Sequence, residues 1–383
     1  MTIKPVAHAC SVIIKFLTIK QKKMKKASPS KALFLGSAAV TILLFSVVAC
    51  KKNNSSTPIA SYQQTNLVAD TAGYGATRID TDLDNPWGIA IGSTGAFWIA
   101  VNHSGSTVIY NGTGGQLLTA VGIPLDGTPN GASPSGVIYN STSNFVIPAN
   151  GQPAKFIYVT EDGIIAAWSS GDTTVTVADR SGADAVYKGI AMGNDGTANF
   201  LYVADLHNAK IDVFDQSFNY VASKVLSDPG IPAGYAPFNI QNIGGQLYVT
   251  YAKQKGPDNE DDQSGAGFGY VDIYTPSGTL VKRFASQGTL NSPWGVAQAP
   301  AAFGMGSNAI LVGNFGDGRI NVFDANGNYQ GQLSNNGTPI TIEGLWAITF
   351  PQSTAGGLDV NTLYFTAGPV EETYGLFGYL KKN

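Results

Sequence analysis

Asn314-Phe-Gly-Asp-Gly-Arg-Ile-Asn-Val-Phe-Asp324 is a tight polar loop running into an apolar strand, and the chain repeats it. Asp205-Leu-His-Asn-Ala-Lys-Ile-Asp-Val-Phe-Asp215 has the same form, and Asn102-His-Ser-Gly-Ser-Thr-Val-Ile-Tyr-Asn111 is one residue shorter. Each follows a short apolar run (Ile310-Leu-Val, Leu201-Tyr-Val, Phe97-Trp-Ile), so each reads as strand, turn, strand. A second motif recurs upstream, in Asn85-Pro-Trp-Gly-Ile-Ala90, Ser292-Pro-Trp-Gly-Val-Ala297 and Gly344-Leu-Trp-Ala-Ile-Thr349.

Aligning the second motif gives the column Trp87, Ser135, Lys188, Phe238, Trp294 and Trp346. A period of roughly 50 residues with several short strands per copy marks propeller blades. The expected fold is all-β, a six-bladed β-propeller. A blade exposes two apolar faces, so its neighbours must cover it. The last copy lacks a fourth strand after Leu380, and a spare strand-like run, Thr65–Ala69, stands before the first copy. Pairing the two closes the ring and leaves no open sheet edge. Composition agrees: 46 Gly, 17 Tyr and only 13% charged residues point away from long amphipathic helices.

Residues 1–49 read as a targeting segment with eight Lys and no acid, Met24 being an alternative start. The apolar run ends in Val47-Val-Ala-Cys50, which resembles a bacterial lipobox, so Cys50 is the expected lipidation site. Residues 50–64 read as a flexible tether and 65–383 as one propeller. The expected place is the bacterial cell envelope, periplasmic or cell-surface side, with membrane contact only through lipid on Cys50. Cleavage there removes Cys10, the one other cysteine, which excludes disulfides and thiolate chemistry. It also removes eight of the 23 basic residues against 26 acidic ones, which argues against nucleic-acid binding.

Asn85-Pro-Trp-Gly88, Ile211-Asp-Val-Phe-Asp215, Asn291-Ser-Pro-Trp-Gly295, Asn314-Phe-Gly-Asp-Gly318 and the tail Leu363-Tyr-Phe-Thr-Ala-Gly-Pro369 together resemble uncharacterised bacterial secreted six-bladed propellers of NHL-repeat layout. The resemblance implies a fold and an envelope location, and it carries over no catalytic residue. Blade two departs from the pattern, with Ser135-Gly136 in place of Trp-Gly.

Chemistry is expected over the channel mouth, where the loops between second and third strands open. Asn102, Glu161, Asp205 and Asn314 follow second strands and could present oxygens to one axis. Two acids and two amides suit Ca²⁺. Propeller lactonases and gluconate-pathway hydrolases have a similar ring, where the metal polarises a carbonyl. The plainer reading has each residue satisfying its own turn. His103 and His207 occupy matching loops, as exposed loop residues or as a candidate general base or metal ligand, and Tyr251 holds the equivalent place in blade four. Trp87, Trp294 and Trp346 read as inter-blade packing rather than a sugar-stacking platform. The long loop Lys253–Phe268, with Asp258-Asn-Glu-Asp-Asp262, lacks EF-hand spacing and reads as solvated. The leading function is a monomeric binding or scaffold module for a protein, carbohydrate or small-molecule ligand. The alternative is a Ca²⁺-dependent hydrolase.

Overall fold

Antiparallel sheets built from alternating apolar strands pack face to face around a central axis in the computed structural model, which describes residues 60–306 and 308–383. The targeting segment, Cys50 and most of the tether lie outside the described residues. The six sheets are blades of one β-propeller, with the first strand of each innermost. Those first strands are Pro86–Ile91, Pro134–Tyr139, Tyr187–Asn194, Tyr235–Ile243, Pro293–Gln298 and Leu345–Thr349. Among the described residues, six buried apolar clusters lie between neighbouring blades and a seventh lies on the axis. Each inter-blade cluster draws on the inward face of two sheets, which is why no blade stands alone.

The ring closes as the sequence implies. Tyr62–Ala69 pairs antiparallel with Leu376–Lys382, from Tyr62 opposite Lys382 to Ala69 opposite Leu376. The strand starts at Tyr62 rather than Thr65, because the Tyr62 ring is fully buried against Phe303 of blade five at 4.5 Å.

Three expectations need correction. Blade three has three strands; the segment Tyr220–Lys224 makes only a single bridge, Phe214 with Tyr220. Its chain turns away instead, with Lys224 ion-paired to Asp195 at 2.7 Å. The Lys253–Phe268 loop is partly a hairpin: Gln254 and Lys255 pair with Asp262 and Asp261. The tryptophans of the repeat pack on the axis rather than between blades. Trp87 stacks on Trp346 at 3.6 Å, and Phe315, Trp294 and Phe238 surround Trp346 at 4.0, 5.8 and 5.9 Å.

Candidate functional site at the entry mouth of the channel

The reason for the axial plug lies in the register. Every first strand slips near its start: Pro86 pairs with Val101 but Ile89 with Ile99, and Tyr187 pairs with Asp205 but Gly189 with Ala204. The same shift brackets Ser135, Phe238, Trp294 and Trp346. The residue left over at each slip is the residue of the sequence column. A β-bulge re-aims one side chain while pairing resumes below it. Here the re-aimed aromatic side chains of four blades gather in the axial cluster. Gly88 and Gly295 follow the bulge because a Cβ there would press on the backbone of the next blade, 2.9 Å from the Ser135 oxygen and 2.7 Å from the Trp346 oxygen.

Blade three breaks the aromatic pattern with Lys188, 1% exposed. Its ammonium lies 5.1 Å from the Trp87 ring, bonds Glu161, and reaches Asp261 of the blade-four hairpin at 3.4 Å. Burial pulls this ammonium down, but the Glu161 and Asp261 carboxylates outweigh it and hold its pKa above the ordinary lysine value. Lys188 is therefore a fixed positive charge at neutral pH. Glu161 also accepts a hydrogen bond from Asn102 Nδ2 at 2.8 Å.

A second carboxylate faces the same cluster from blade six. Glu372 Oε2 accepts from Asn85 Nδ2 at 2.7 Å, and Trp346 Nε1 donates to Asn85 Oδ1 at 3.2 Å. Asn85 approaches this closely only because Gly368 has no Cβ to collide with its Oδ1. Glu372 is held by three consecutive residues at positive φ: Val370 at 56°, Glu371 at 51° and Glu372 at 66°. A left-handed run costs L-residues roughly 1–2 kcal/mol each, and a β-branched residue there is an outlier. Burial pushes the Glu372 carboxyl above its usual range, Asn85 draws it back, and the nearby Glu161 charge adds to the rise. Asp262, raised by burial and drawn down by Lys188, is a further acid beside the cluster. His103 completes the rim, with Nε2 3.3 Å from Asn85 Nδ2 and Nδ1 3.2 Å from Asp84.

The residues singled out in the sequence divide. Asn102, His103 and Glu161 meet at the mouth. Asp205 bonds the Val186 and Asn208 backbone N–H groups and the Asn208 side chain. Asn314 donates to Thr289 O and Asp317. Tyr251 hydrogen-bonds Tyr274 at 2.8 Å in the core between blades three and four. His207 has its carbonyl bonded by Gln254, and its Nδ1 is buried without a partner among the described residues. Register explains the split. Asp205 and Asn314 are cross-strand partners of Tyr187 and Pro293, whereas the partner of Pro86 is Val101 and that of Pro134 is Thr160. Asn102 and Glu161 come one residue later, and one residue along a strand reverses the side chain. The blades' true equivalents of Asn102 and Glu161 are Leu206, Ala252, Phe315 and Gly368, three of them in or against the axial cluster. At this position the mouth is polar over blades one and two and apolar or small over blades three to six, whose charged groups Lys188, Asp261 and Glu372 come from other positions.

Sequence reasoning passed over Lys188, Asp261, Glu372 and Asn85 as site residues. The signal for Lys188 was present, since it is the one charged residue in a column otherwise aromatic or small.

No family model matches the chain. Two uncharacterised proteins of Acanthamoeba polyphaga mimivirus are similar to it. One is 37% identical over 322 residues, spanning 80% of this chain and 77% of the relative. The other is 36% identical over 324 residues, spanning 80% and 83%. Among solved structures, a protein of unknown function from Bacteroides thetaiotaomicron matches with a TM-score of 0.53 and 12% identity, over 84% of this chain and 77% of that one. The soluble aldose sugar dehydrogenase of Escherichia coli matches with a TM-score of 0.50 and 13% identity, over 84% and 100%. At such identities the structural likeness shows the propeller fold alone.

Proposed function

The chain belongs to the same family as these two mimivirus proteins, and from that premise we propose that it is a binding propeller whose entry mouth recognises a ligand carrying a cationic group. The observation that supports this reading is the imbalance around Lys188. Glu161, Asp261, Asp262 and Glu372 share one lysine ammonium, beside a wall of stacked rings. Carboxylates over aromatic faces are what a desolvated organic cation needs. Binding is favoured over hydrolysis because Lys188 is held protonated, so it offers no nucleophile, and its ammonium occupies the Glu161 carboxylate that a divalent metal would take. The calcium-dependent hydrolase stays the second reading, carried by Glu161 and Asn102. The proposal keeps the propeller on a cell envelope through lipid on Cys50; Val47-Val-Ala-Cys50 alone supports that address. Mass spectrometry of the membrane fraction should find acylated Cys50, and Cys50→Ala should leave the membrane.

Titration calorimetry with arginine amide and, separately, with calcium chloride tests the reading. Saturable heat with the organic cation is expected, weakened at least tenfold by Glu372→Gln, and none with calcium. Affinity should fall as pH drops through the raised pKa of Glu372, because the protonated acid gives up its charge. A midpoint of unfolding that calcium raises, and that Glu161→Gln makes indifferent to calcium, would install the hydrolase reading instead.

A further inference from the structure

The opposite end of the channel is independent of the mouth. Two adjoining hollows of about 270 and 290 Å³ open there and share Gln241, Asn242, Thr349 and Gln352. A neck of about 30 Å³ leads from them toward Trp294. Every residue lining the hollows and the neck is uncharged. The wall is aliphatic, with Ile89, Val137 and Ile190 from blades one to three. The rim carries three exposed amides, Gln241, Gln298 and Gln352, from blades four to six. Among the described residues, Gln298 and Gln352 use only Nε2, toward Asn308 at 3.4 Å and Phe350 O at 3.0 Å. Trp294 lines the neck and is 4% exposed, and its buried indole N–H has no acceptor among the described residues.

We propose that this bowl is a second binding site, for one uncharged saccharide unit. The chemistry selects against other ligands in turn. A charged group entering a neutral, partly apolar bowl would lose its hydration with no counter-charge to replace it. A purely apolar ligand would cover the rim amides without pairing them, leaving desolvated polar groups. A sugar ring answers both demands, since its hydroxyls each donate and accept, as a primary amide does, and its C–H face fits an aliphatic wall. Each hollow, at about 270 and 290 Å³, has room for one small ring. The neck, at about 30 Å³, has room for one or two waters beneath a hydroxyl in the bowl.

The test is titration of the full chain with glucose, N-acetylglucosamine, galactose and maltose, read by saturation-transfer NMR and calorimetry at low and high salt. Saturable binding of at least one sugar is expected, unchanged between the two salt concentrations. The double variant Gln241→Ala, Gln298→Ala should bind that sugar at least tenfold more weakly while keeping its unfolding midpoint, because both side chains are exposed. Val137→Trp, which fills the wall, should also lose binding. The proposal is overturned if none of the four sugars binds saturably, or if the folded double variant binds within twofold of the parent.

Discussion

The six residues Pro86–Ile91 reach from one end of the channel to the other: Trp87 lies under the charged mouth and Ile91 lines the neutral bowl. At roughly 3.3 Å per residue the two are little more than 10 Å apart. The mouth takes its carboxylates from beyond the second strands of their blades, Glu161 and Glu372 from loops and Asp261 from the blade-four hairpin, while Lys188 stands on a first strand. The bowl takes its neutrality mostly from the first strands, which present only uncharged residues at that end. The difference teaches that the bowl is a product of the fold, whereas the mouth is an addition to it. The mouth also carries backbone strain at Val370–Glu372 and a buried lysine, costs that the fold alone does not require.

The largest effect should come from removing what both ends depend on. A chain starting at Thr77 lacks the closing strand, exposing the apolar partners of Leu67 and Val68 and the edge of Leu376–Lys382. Calorimetry should then show no single cooperative transition, and ligand responses at mouth and bowl should vanish together. A truncated chain with an unchanged midpoint would mean that the ring closes by other contacts.

A smaller effect should separate the ends. Lys188→Met removes a buried ammonium and leaves Glu161 facing Asp261. Breaking a fully buried pair costs about 3–5 kcal/mol; Glu161, 26% exposed, can rehydrate, so roughly 2–3 kcal/mol is expected by chemical denaturation. The variant should also gain a calcium-dependent midpoint, since the oxygens freed by the ammonium suit that ion. Sugar binding in the bowl should not change. A variant as stable as the parent and blind to calcium would show that Glu161 and Asp261 do not share a site.

The smallest effect concerns strain. Val370 is 47% exposed, so Val370→Gly forfeits little burial and relieves the left-handed backbone. The relief exceeds glycine's entropic cost by roughly 0.5–1 kcal/mol, and the midpoint should rise by about 1–3 °C. The bowl offers no such gain: Gln241→Ala should stay within about 0.5 kcal/mol. A Val370→Gly protein that melts earlier would mean that the side chain, not the turn, holds Glu372 in place.

The blades and their closure were legible because large residues recur at a fixed place in each copy, and a bulge keeps that place constant. The site was legible only in part. Glu161 and Asn102 stood one residue beyond the positions matching Asp205 and Asn314, and sequence spacing cannot see a slip that cross-strand pairing reveals. Lys188 sat in the aligned column without drawing notice, since only Ser135 of blade two stood out there as a departure. Glu372 was hidden for another reason: a β-branched residue in a left-handed turn runs against local preference, so nothing in Val370-Glu-Glu372 announces where it points. Blade three lost its fourth strand to an ion pair with Asp195 that lies 29 residues away in the chain.

The closing strand also decides how the molecule bears a load. Tension arriving from the residues before Ala60 acts on the outer edge of blade six, at Tyr62, and neither mouth nor bowl lies in its path. Strands joined at an edge yield one pair at a time, like a zip. Here the first tooth is riveted: Tyr62 is buried beside Phe303 and donates its hydroxyl proton to the Phe303 carbonyl, while Ser61 is bonded by the Asn383 backbone N–H at 2.9 Å. A pull must extract that ring from the neighbouring blade before any ladder bond behind it can part. Pulled from its N-terminal side, the propeller is held at its rim by a fastening that resists until it fails.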